Sequence, residues 1–144
     1  MEENKKKMEE WDWAKHKPNN ILNVPCSSEK DFFTWWCIFF DPFVPLTDRE
    51  REVVASYLKH RTELSKVILD PDIVDYQLMS NEVKNKVIKD CNMTLAHYYV
   101  VMSSLRKKKV FLESGINPKL IPNVRKDDNG CFQLLILIKE NQEK

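Results

Sequence analysis

The chain has 144 residues, of which 42% are hydrophobic and 31% charged, and its net charge is +1 at pH 7. That length suits one domain with a sizeable core, and that balance excludes a disordered chain. Only two glycines are present, too few for a glycine-rich phosphate loop or a sheet-rich fold with many tight turns. Cys26, Cys37, Cys91 and Cys131 lie far apart, with no Cys-x-x-Cys and no histidine at ligand spacing, which argues against a zinc site. The charged start MEENKKKMEE is unlike a signal peptide. Reduced thiols in a cytoplasm are therefore expected. No run of about 18 apolar residues exists, so no membrane partner is expected.

In chain order, the first 17 residues are charged, with Met8, Trp11 and Trp13 as apolar content. They read as a frayed arm or as an arm that orders on a partner. Ile21 to Pro25 reads as extended. The block Phe32 to Phe40, FFTWWCIFF, follows Ser28 and Asp31, a variant of the capping box, which predicts a helix from about Glu29. Its aromatic density leaves a strand as the alternative. The block is apolar all round. It is either a core element or an oligomer or partner interface built from Phe32, Phe33, Trp35, Trp36, Phe39 and Phe40, joined by Trp11 and Trp13. Asp41-Pro42 and Pro45 make a rigid turn. Thr47 and Glu50 form a full capping box, and Val53, Val54, Tyr57, Leu58 and Leu64 continue it as an amphipathic helix. His60 is expected at its surface. Asp70, Pro71, Asp72 and Asp75 read as a flexible acidic connection, with no metal site expected.

Ser80 can cap a helix whose apolar face is Val83, Val87 and Ile88. Asp90-Cys91-Asn92-Met93 breaks it, and Thr94 can cap the next helix. Leu95, Tyr98, Met102 and Leu105 form that helix's apolar stripe, opposite His97, Ser104 and Lys107. The run Arg106 to Lys109 suits the negative end of its dipole. Val110 to Leu112 and Phe132 to Ile138 read as strands joined by a long loop, Glu113 to Cys131, which holds Pro118, Pro122 and the turn Asp128-Asn129-Gly130. The predicted fold is mainly α with a small β-hairpin. It has an arm at 1–27, the aromatic element and turn at 28–45, a helix-turn-helix domain at 46–140 and a tail at 141–144.

Helix, turn, helix, strand, loop, strand is the order of a winged helix. Ser80 to Ile138 resembles the winged helix-turn-helix family. MTLAHYYVVMSSLRKKKVFL is similar to the family's recognition helix running through LxKKG into the first wing strand, with Lys109 standing where the family usually has glycine. LTDREREVVASYL is similar to the opening helix of several bacterial helix-turn-helix families. The resemblance implies double-stranded DNA as partner. Thr94, His97, Tyr99, Ser103 and Lys107 would face the groove, and Arg106, Lys108, Lys109, Lys119, Arg125 and Lys126 would meet phosphates. Arg, Asn and Gln are missing from the front of the helix, which implies low sequence specificity.

Charge is divided along the chain. Lys84 to Lys126 carries ten bases against two acids, a net +8, and Ser28 to Val83 carries six bases against eleven acids, a net −5. The basic block suits phosphate contact. It also suits a solvated face, or neighbouring copies meeting head to tail in a ring. The segments DPF, LTDRE and INP with the later Pro122 look like those of small winged-helix proteins of tailed phages, among them phages of gut Bacteroidetes related to crAssphage. That resemblance implies a rival role as a virion component (connector ring, head or cargo protein), placed in the host cytoplasm or the virion. His16, His60 and His97 are scattered and no nucleophile, base and orienting group come together, so no catalysis, cofactor or small-molecule substrate is expected.

Overall fold

A computed structural model describes residues 26–122 and Glu140. Trp11, Trp13, Arg125, Lys126 and the strand expected at Phe132 to Ile138 lie outside the described residues. Within them the protein is mainly helical, with α1 (Glu29–Phe40), α2 (Asp48–Val67), α3 (Pro71–Leu78), α4 (Asn81–Asp90) and α5 (Leu95–Lys107). A two-stranded antiparallel sheet, β1 (Phe111–Leu112) and β2 (Gly115–Ile116), and a 3-10 turn at Pro118–Leu120 follow. None of these helices is long and apolar enough to cross a membrane.

Every α-helix starts on a side chain that takes up a free backbone N–H. Ser28, Thr47, Asp70, Ser80 and Thr94 are those N-caps. Thr47 and Glu50 complete the reciprocal capping box. Asp31 reaches back to the N–H of Ser27 at 3.1 Å while Ser28 caps the helix, which settles α1 as a helix against the strand alternative.

Helix α2 is the centre of the molecule, with contacts to α1, α3, α4 and α5. Val53, Val54, Ala55, Tyr57 and Leu58 are buried along it, more than half its circumference over that stretch. Phe32, Phe33 and Cys37 of α1 belong to the same core as Val87, Tyr98, Met102, Leu105 and Phe111. Phe32 and Phe33 are thus core residues and not an open interface. Trp36 is half-buried, donating from Nε1 to the carbonyl of Leu120 at 2.8 Å, and its ring meets Phe40 edge to face at 4.6 Å. Burial pushes the Cys37 thiol up to about 12 and the Cys91 thiol up to about 11, so neither ionises near neutrality.

Two expected loops are structured. The acidic connection is helix α3: Asp70 caps it, Pro71 takes its first turn where no N–H is needed, and Asp75 bonds Arg61 of α2 at 3.4 Å. Among the described residues, Phe111–Leu112 has a strand partner four residues later, inside the expected loop. Glu113 and Ser114 form the turn, and Leu112 pairs with Gly115. Gly115 has φ +132, a conformation closed to most L residues, so this position calls for glycine.

Candidate nucleic-acid interface

Helices α4 and α5 end in the same way. At the end of α4, Met93 N–H donates to Ile88 and Asn92 N–H to Lys89, with Asn92 at φ 48. At the end of α5, Val110 N–H donates to Leu105 and Lys109 N–H to Arg106, with Lys109 at φ 64. Both are Schellman caps, whose left-handed residue is usually glycine or asparagine. Asn92 fits its cap without much strain. Lys109 fills a site that glycine usually takes.

The turn between the helices is fastened to α2. Arg49 donates from Nη1 to the carbonyl of Cys91 at 2.7 Å. Ser56 and His60 both donate to Oδ2 of Asp90, at 3.0 and 2.9 Å. His60 is only 8% exposed, with Glu63 at 3.6 Å from its Nδ1, so it is a buried linker and not a surface residue. Its partner lies thirty positions away, on α4. Burial would raise the Asp90 carboxyl, but the bonds from His60 and Ser56 outweigh it and hold it below its ordinary value. Serine, histidine and aspartate meet here, yet Ser56 donates to the carboxylate and not to the imidazole. Nothing in that geometry passes a proton from hydroxyl to base. The arrangement joins two helices.

The inner side of α5 buries Tyr98, Val101, Met102 and Leu105. The Tyr98 hydroxyl bonds that of Tyr57. Leu95, expected in the stripe, is 49% exposed, and Val101 takes the core place instead. The stripe turns by 100° per residue, so the positions opposite Tyr98, Val101 and Leu105 are Ala96, Val100, Ser103 and Lys107. All four are exposed, Val100 to 68%. Ala96 and Val100 were not among the residues expected to face a groove. Their signal was available in the period of the helix but was masked by assigning the stripe to Leu95.

Of the expected groove residues, Thr94 spends its hydroxyl oxygen on the cap, at 3.1 Å from the N–H of His97. His97 and Ser103 are exposed. Tyr99 is half-exposed, and its hydroxyl accepts from Lys84 of α4 at 3.2 Å. Of the expected phosphate contacts, Arg106, Lys107 and Lys109 are exposed and have no ion pair among the described residues. Lys108 differs from all three. Its ammonium donates to Oε1 of Glu50 at 2.8 Å and to the carbonyl of Pro45 at 2.9 Å. Glu50 is 3% exposed and also takes a bond from Ser104 at 3.4 Å. Lys108 therefore clamps the end of α5 to the start of α2, because a buried carboxylate requires a cation there. Burial would raise the Glu50 carboxyl, but the bonds from Lys108 and Thr47 prevail and hold it below its ordinary value. Lys119 is exposed on the 3-10 turn, and Asn117, which accepts from its N–H at 3.1 Å, donates to the carbonyl of Lys109 at 3.0 Å.

No protein family, curated protein or solved structure matches this chain.

What the arrangement offers chemically is an exposed helix with methyl-bearing and hydroxyl side chains along its outer row, cations at its C-terminal end, and further lysines, Lys84 and Lys89, on the helix before it. Such a surface suits an anionic polymer.

Proposed function

We propose that the protein is a non-enzymatic helix-turn-helix protein of the winged-helix kind that binds double-stranded DNA with low sequence specificity through α5. The observation that carries this reading is the exposed trio Arg106, Lys107 and Lys109 beside an outward helix face, in a block where Lys108 alone is consumed by the fold. Phosphate contacts from the trio, with Lys84 and Lys89 of α4 alongside, supply most of the affinity, and the side chains of α5 enter the major groove. The test is binding of the full chain to a random-sequence duplex, followed by fluorescence anisotropy as salt is raised. The trio alone gives a log–log slope of about −3, and all five contacts give about −4.5. No binding even at low salt contradicts the reading.

A second reading, a tailed-phage virion or assembly component that uses the same fold for protein contacts, draws on Phe43. It is 81% exposed just beyond α1, close in sequence to Phe39, which is exposed too. Exposed aromatics of this kind anchor protein interfaces. That reading predicts a ring or other defined oligomer in light scattering, insensitive to added DNA.

A further inference from the structure

The outer row of α5 carries methyl groups where a sequence reader usually carries amides or guanidinium forks. Ala96 and Val100 lie at its centre, Ser103 follows one turn later, and no Asn, Gln or Arg precedes Arg106 on the helix. Val100 is the most exposed large apolar residue of α5, and it stands on the rigid helix of a well-capped motif. The surroundings say what covers it. The row ends in Lys107 and is flanked by Lys84, Arg106 and Lys109, and Tyr99 beside it already takes a hydrogen bond from Lys84. Two apolar side chains rimmed by cations are complementary to a surface that is apolar in its middle and anionic at its edges. The major groove offers that pattern only at thymine, whose C5-methyl projects between two phosphate backbones.

We infer that α5 reads thymine methyl groups, so that the duplex it prefers is rich in A·T pairs. This rests on the DNA-binding reading and gives that site its base preference. Ala96 and Val100 are one turn apart, about 6 Å along the helix, which matches about two base-pair steps. The two side chains therefore meet methyls about two steps apart, and Ser103 bonds whichever base edge follows. Arg106, Lys107 and Lys109 hold the register on the phosphates.

The experiment uses the full chain and one A·T-rich duplex in two forms, with thymine or with uracil, which removes only the methyl. A G·C duplex with cytosine or 5-methylcytosine makes the converse pair, since it adds a methyl at the same place. Each buried methyl is worth about fourfold in affinity. The uracil duplex is expected to bind about fifteenfold more weakly than the thymine duplex when two methyls are lost, and 5-methylcytosine is expected to strengthen the G·C duplex. Val100→Ser is expected to shrink both differences while keeping salt-dependent binding. Equal affinity for the thymine and uracil duplexes overturns the inference and leaves DNA binding standing. Absence of binding to all four duplexes overturns both, and if Val100→Ser then dissolves an oligomer of the wild-type chain, the row is a protein contact.

Discussion

On its inner side α5 buries Tyr98, Val101, Met102 and Leu105 against the core, and its end is locked to α2 by Lys108. On its outer side Ala96, Val100, Ser103 and Lys107 stand in water. The basic run Arg106 to Lys109 crosses from one side to the other, and four consecutive cations have two employments. Lys108 neutralises a buried carboxylate, while Arg106, Lys107 and Lys109 have no described acid to meet. Charge counted along a sequence therefore overstates what is offered to a partner. The lesson is a rule of position: a cation in a basic run belongs to the fold when the helix turns it toward a buried acid, and to the surface when it does not.

The comparison breaks most plainly through the core. Leu105→Ala removes a wholly buried side chain from the inner side and is expected to lower stability by about 2–5 kcal/mol in denaturant titration. Lys107→Ala on the outer side is expected to stay within about 0.5 kcal/mol of wild type.

Lys108→Ala comes next. It leaves the Glu50 carboxylate buried without its cation and is expected to cost about 2 kcal/mol in the same titration. A loss no larger than that of Lys107→Ala would erase the distinction between the two lysines.

The pH dependence sharpens the same point. Glu50 is held below its ordinary value of 4.5 in the folded chain, and Asp90 below its ordinary 3.8. Each folded carboxyl binds its proton less readily than the unfolded one. Their contribution to stability is thus present above those ordinary values and is lost as pH falls through the depressed folded ones. Unfolding midpoints measured from pH 6 downward are expected to drop most steeply below 4.5. The Glu50 part of that drop is expected to shrink in Lys108→Ala, which keeps the Thr47 bonds but loses the cation.

The smallest effect is a gain. Lys109 holds a left-handed conformation that glycine adopts at no steric cost, so Lys109→Gly is expected to stabilise by about 0.5–1 kcal/mol. Thermal melting of the two chains checks it.

What was legible in the sequence was local. Ser28, Thr47, Ser80 and Thr94 each sit three residues before the N–H they cap, so the starts of α1, α2, α4 and α5 could be read from spacing alone. The order of α4, turn and α5 followed from those starts. Asp70 and Pro71 carry the same kind of signal for α3, overlaid by the charges of Asp72 and Asp75. Strand β2 is two residues long, too short for any alternation to show. The burial of His60 and the employment of Lys108 depend on Asp90 and Glu50, thirty and fifty-eight positions away, and no local pattern announces such partners. The aromatic block was ambiguous because it is apolar all round. Packing against α2 decides that Phe32, Phe33 and Cys37 face inward and that Phe39 is left outside.

The most direct test of the account sets the two groups of cations against each other in one experiment. One variant carries Arg106→Ala, Lys107→Ala and Lys109→Gly, and a second carries Lys108→Ala alone. Each is assayed for binding to a random-sequence duplex at low salt and for stability in denaturant. The account predicts that the triple variant loses duplex binding with no loss of stability, and that Lys108→Ala loses stability and, while folded, still binds. A triple variant that binds the duplex as tightly as wild type, or a Lys108→Ala chain that stays stable but no longer binds, would contradict it.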